Sequence, residues 1–195
     1  MKNHNHNAKG EVSDLTQFLI SKAERVIENF ESVDIKQAKD VSFLCLNNNN
    51  SYAKALGIEV LGLIHDTETC ELLLEIDIEK ASYVETICLI EALTRYPTKK
   101  QCEKVLNIIN NSNSTREICL LSCDSLYRCH DLVGERKLKE QFLQENDQHV
   151  KIALAGIIFL KTNEIYFLTF MKNCEISKNA SVRITATDYI NSVLN

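Results

Sequence analysis

The sequence has no tryptophan, one proline and five glycines in 195 residues. Sandwiches and barrels draw on Gly and Pro for their many tight turns. Their scarcity argues against such folds and for helices joined by short polar loops. Long hydrophobic runs are also missing. The longest, Ile152–Leu160, has nine residues between Lys151 and Lys161. A membrane-spanning helix needs roughly 18, so this run reads as a core helix. The opening Met1-Lys2-Asn3-His4-Asn5-His6 is polar and lacks the apolar core of a signal peptide. Residues 1–11 are therefore expected to be a flexible tail, and residues 12–195 a single domain. Nor is there a glycine-rich phosphate loop, a His-Glu-x-x-His or a Gly-x-Ser-x-Gly. No catalytic, cofactor or metal residue is assigned, and the chain is expected not to be an enzyme. Finally, excess positive charge is absent. The 22 basic and 27 acidic side chains give a net −5, which disfavours a nucleic-acid backbone as partner.

What is present is the composition of a globular chain, 45% hydrophobic and 25% charged. Eight cysteines are spread along it, most among Leu and Ile at helical spacing. Without a secretion signal they read as reduced thiols acting as small hydrophobes, and the expected location is cytoplasmic. The acidity lies in residues 1–111, which hold 12 basic and 17 acidic side chains, whereas residues 112–195 hold ten of each. If residues 68–80 form a helix, Glu68, Glu71, Glu75 and Glu79 share one stripe. That stripe is a solvated face or a strip for a basic partner.

Polar punctuation cuts the chain at regular intervals: Asn47–Asn50, His65–Thr67, Pro97-Thr98, Asn110–Ser114, Asn146-Asp147 and Lys178-Asn179. Ser51, Ser82, Ser114, Asp147 and Asn179 are candidate N-caps for the runs that follow. Aligning those runs on Ala53, Tyr83, Arg116, Val150 and Arg183 gives separations of 30, 33, 34 and 33. Three residues on stand Leu56, Thr86, Cys119, Ala153 and Ala186. Seven on stand Val60, Ile90, Cys123, Ile157 and Ile190, and ten on Leu63, Leu93, Leu126, Leu160 and Val193. Offsets of 0, 3, 7 and 10 mark one face of a helix, and a period near 33 marks a repeat. A preceding helix fits before each run, over 35–46, 68–80, 99–111, 135–145 and 165–176, with a lead-in helix over 12–30. The prediction is about eleven helices: one lead-in helix and five antiparallel pairs.

The stretches Asp147-Gln148-His149-Val150-Lys151-Ile152-Ala153-Leu154-Ala155 and Ala180-Ser181-Val182-Arg183-Ile184-Thr185-Ala186 resemble the opening of the second helix of a HEAT repeat. Thr115-Arg116-Glu117-Ile118-Cys119 and Ser51-Tyr52-Ala53-Lys54 match it more loosely. The proline usual in the family's first helix is missing except for Pro97, at a helix start. The likeness covers roughly residues 35–195. It implies an all-α, right-handed α-solenoid whose second helices form a surface for another protein. A tetratricopeptide array lacks its Trp/Leu-Gly-Tyr pattern here, and armadillo-type stacking remains an alternative.

Positions one or two residues off the core phase of the second helices are the expected contact residues: Lys54, Arg95, Arg116, Tyr127, Arg128, Lys151, Lys161, Arg183 and Tyr189. Tyr and Arg are enriched at binding hot spots. Arg116, Lys151 and Arg183, near the starts of successive second helices, would form a basic ladder. It either holds acids and carbonyls at turns or attracts an acidic ligand. Cys119, Cys123, Cys129 and His130 lie close together, but the first two occupy apolar repeat positions, so packing is expected rather than metal. The leading expectation is a non-enzymatic adaptor or inhibitor that binds another protein, with no cofactor and no membrane. One alternative is a nucleic-acid binder resembling the DNA-alkylation-repeat glycosylases. The other is a HEAT-like lyase or cofactor chaperone.

Overall fold

The computed structural model describes residues 13–194, so the predicted tail over 1–11 lies outside the described residues. Eleven α-helices occupy this span: α1 (Asp14–Glu28), α2 (Ile35–Leu46), α3 (Ser51–Ile64), α4 (Thr67–Glu75), α5 (Tyr83–Arg95), α6 (Lys99–Ile109), α7 (Arg116–Arg128), α8 (Glu135–Gln144), α9 (Gln148–Thr162), α10 (Ile165–Glu175) and α11 (Ala180–Leu194). Short 3-10 turns at Phe30–Ser32 and His130–Leu132 complete the order. No described helix is long and apolar enough to cross a membrane.

Local chemistry sets these boundaries. Ser13, Asp34, Asn50, Asp66, Ser82, Thr98, Thr115 and Asp147 each accept a first-turn amide with the side chain, satisfying donors a helix start leaves open. Two predicted caps move by one residue: Asn50 replaces Ser51 and Thr115 replaces Ser114. Asp66 with Thr69, and Thr98 with Gln101, close reciprocal capping boxes. The helix predicted over 68–80 stops at Glu75, where Lys104 donates to the carbonyls of Leu74 (2.7 Å) and Ile76 (2.6 Å). Glu79 therefore leaves the acidic stripe. Lys39 further neutralises that stripe, pairing with Asp66 at 2.6 Å and Glu68 at 2.5 Å.

Each even-numbered helix packs on the odd-numbered helix that follows it, and each odd helix from α3 to α9 packs on the next odd one. The contacts are thus mostly between sequence neighbours, a pattern consistent with a helical repeat. The odd layer is joined by close apolar packing. Positions three and seven residues along the aligned runs are buried in all five, from Leu56 and Val60 to Ala186 and Ile190. The even layer is laced by lysines. Lys39 links α2 to the start of α4, Lys104 links α6 to the end of α4, Lys137 pairs with Glu103 on α6, and Lys139 pairs with Glu164 before α10. Solvent-exposed pairs of this kind each contribute only about 0–1 kcal/mol. The even helices also supply apolar core, and Phe142 of α8 packs edge to face on Tyr166, Phe167 and Phe170 of α10.

Two odd helices are almost wholly buried. On α9 every residue from Ile152 to Phe159 is buried, as the nine-residue apolar run suggests. On α3 the closest approaches are made through glycine. A Cβ at Gly62 would lie 2.6 Å from the Ala92 Cβ and 2.8 Å from its Cα on α5. The missing side chain sets the α3–α5 spacing at the cost of helix propensity. Gly62→Ala should consequently destabilise by about 1–3 kcal/mol through overpacking, despite about 1 kcal/mol of intrinsic helix gain. Urea unfolding checks this; a more stable variant would contradict the close approach.

Candidate functional site

The expected contact residues separate into three groups. The first is the ladder of Arg116, Lys151 and Arg183 at the starts of α7, α9 and α11. The Arg116 Nε donates to Asp147 Oδ2 at 2.6 Å, tying α7 to the N-cap of α9. The Lys151 ammonium lies 5.0 Å from the centroid of the Phe142 ring and donates to the Glu145 carbonyl at 3.3 Å. Arg183 donates to the carbonyls of Ser177 (2.8 Å) and Lys178 (3.2 Å). All three cations reach an acid or a carbonyl at a turn. His149 acts alongside them, with Nδ1 2.8 Å from the Thr185 hydroxyl and Nε2 3.4 Å from that of Ser181, so α9 is joined to α11 at this same end.

The second group lies at the opposite ends of these helices. Arg95 on α5 and Arg128 on α7 are exposed and line a pocket of about 270 Å³ with Glu91 and Thr94. The Lys161 ammonium donates to the carbonyls of Asp131 (3.0 Å) and His130 (3.4 Å), just beyond α7. Starts meet starts and ends meet ends, so α5, α7, α9 and α11 run parallel. Lys54, half-buried on α3, stands apart. It lines a pocket of about 330 Å³ that also holds Glu85 and Lys80.

The third group is a pair of tyrosines. Tyr127 on α7 and Tyr189 on α11 meet edge to face, with ring centroids 6.3 Å apart and planes at 69°. The Tyr127 hydroxyl donates to the Ser192 carbonyl at 2.7 Å, and the Tyr189 hydroxyl to Asp124 Oδ1 at 2.5 Å. The two helices thereby clasp each other across α9. Gly156 makes room, since a Cβ there would come 3.0 Å from the Tyr189 ring. Burial, and then the Asp124 carboxylate, push the Tyr189 hydroxyl well above the usual phenol range, so it remains a donor. Around the rings is an open pocket of about 420 Å³, lined also by Leu120, Thr185 and Asp188. Sequence reasoning selected both tyrosines but not their meeting, since they are 62 positions apart.

Six of the eight cysteines are buried as small hydrophobes, whereas Cys70 and Cys88 are half-buried. Burial raises the Cys119 thiol to about 11 and the Cys123 thiol well above its ordinary value, so both stay neutral. Cys102 instead donates to the sulfur of Cys129 at 3.4 Å. Among the described residues no group of three or more His, Cys, Asp or Glu is placed to hold a metal.

No protein-family model, curated protein or solved structure matches the chain.

Asp147 provides a test of the turn contacts. Burial raises its carboxyl pKa, but Arg116 and the amides of Val150 and His149 outweigh that and hold it below the ordinary value. A depressed folded value stabilises the protein above the unfolded pKa of about 3.9, and that increment is lost as pH falls through the folded one. Asp147→Ala should cost about 1–2 kcal/mol at pH 7 through loss of the cap. Asp147→Asn, which still caps, should cost less than about 1 kcal/mol. The difference between the wild type and Asp147→Ala should shrink below about pH 4. Chemical unfolding at pH 7 and pH 3 measures both; equal losses for Asn and Ala would contradict the capping account.

Proposed function

We propose that this chain is a non-enzymatic adaptor or inhibitor that binds another protein along its odd-numbered helices, in the manner of a HEAT-like α-solenoid. One observation carries the reading. Four successive odd helices run parallel and side by side, and on them lies an open pocket walled by the two tyrosines Tyr127 and Tyr189. Stacked helix pairs bury a continuous core and leave a long surface for a partner, and tyrosine is a favoured anchor in such surfaces. Burial of the same two repeat positions in the five odd helices from α3 to α11 supports the solenoid part of the reading.

The alternatives have less to stand on. Arg116, Lys151 and Arg183 are engaged on turns, which leaves little of the ladder for a phosphate backbone.

A photo-cross-linking amino acid at Leu120 or Thr185, on the odd layer, is expected to capture a partner from an extract of the source organism. The same group at Leu143 or Tyr166, on the even layer, is expected to capture none. Capture from Leu143 and Tyr166 alone would refute the reading.

A further inference from the structure

The pocket across α9 has an unusual chemical balance. Two of its walls are Tyr127 and Tyr189, whose rings meet edge to face with planes at 69°. Two more are the carboxylates of Asp124 and Asp188. Asp124 accepts the Tyr189 hydroxyl through Oδ1. Neither carboxylate pairs with a lysine or arginine among the described residues, and none lines the pocket. The Thr185 hydroxyl is already taken up by the Ser181 carbonyl and His149.

Each candidate occupant meets a definite obstacle or fit. An anion would face two carboxylates. A neutral apolar group would strip water from them and offer no compensating bond. A cation satisfies both features, because ammonium and guanidinium groups are attracted to aromatic faces within about 6 Å of the centroid and bond strongly to carboxylates. The volume, about 420 Å³, accommodates a single long side chain.

We infer that the pocket between α7 and α11 receives a lysine or arginine side chain of a partner protein, with the Tyr127 and Tyr189 rings against its stem and head and Asp124 and Asp188 against its charge. The inference rests on the docking reading above and adds the chemistry of the partner's anchor. Asp188 supplies a charge with no structural duty. Asp124 has two roles, since it also fixes the ring of Tyr189.

The test is a ¹⁵N-resolved NMR titration of the full chain with N-acetyl-lysine methylamide and N-acetyl-arginine methylamide. The neutral isostere N-acetyl-norleucine methylamide and the free polyamine spermidine serve as comparisons. Saturable shifts are expected in residues 120–127 and 185–192 with the two basic probes, weakening as salt rises. Asp188→Asn should reduce that affinity about tenfold with melting unchanged. Asp124→Asn, which keeps an acceptor for Tyr189 while removing the charge, should reduce it comparably and serves as the second variant if the first perturbs the fold. Absence of saturation, equal shifts with the norleucine probe, or markedly tighter binding of spermidine would overturn the inference. Cross-linking of a partner from Leu120 or Thr185 without probe binding would sink the cationic anchor and leave the docking reading standing. Probe binding with cross-links only from the even layer would do the reverse.

Discussion

A helix as apolar as α9 is stable only if every side of it is covered. Its neighbours α7, α8, α10 and α11 all pack on it, and the remaining gap is closed by side chains reaching across from α7 to α11. Gly156 lets the Tyr189 ring lie close to the α9 backbone, and the Tyr127 and Tyr189 hydroxyls fasten the two flanking helices to each other. Burying α9 therefore creates the pocket. The same tyrosines that pack on the core below line the pocket above.

Different forces hold the two layers. The odd helices touch through small and apolar side chains, with Gly62 on α3 against Ala92 on α5 at the closest point, and Gly57 on α3 meets Ser42 and Cys45 of the even helix α2. Close packing of this sort tolerates little change of volume. The even helices are linked in part by lysines that stay partly wetted, and α8 meets α10 through Phe142 against Tyr166, Phe167 and Phe170. Ladder residues at the starts of α7, α9 and α11 secure turns, so the odd layer keeps its register at that end. A surface with a rigid dry layer beneath it loses little entropy when a partner is fixed against it.

Much of the helical arrangement was legible in the sequence because it depends on local rules. The period near 33, with mostly apolar offsets of 3 and 7, located five odd helices, and the Ser, Asp and Asn cap candidates located their starts to within a residue. The first offset was less informative: Ala53 and Val150 are buried, whereas Tyr83, Arg116 and Arg183 are exposed. The end of α4 was misread because residues 76–80 keep a helix-like charge pattern while Lys104, 28 positions after Ile76, takes the carbonyls at the turn. The pocket was legible only in part. Tyr127 and Tyr189 stood out by residue type, but their junction with Asp124 and Asp188 depends on where α9 places α7 and α11, a property of packing that no local pattern carries.

Because the buried α9 is the element on which the pocket depends, its protection is the most direct measure of the whole account. Native-state hydrogen exchange should find the amides of residues 152–160 among the slowest in the chain, opening only with global unfolding, while those of α4 and α8 exchange through local opening. Exchange of α9 at rates like those of α4 and α8 would contradict it.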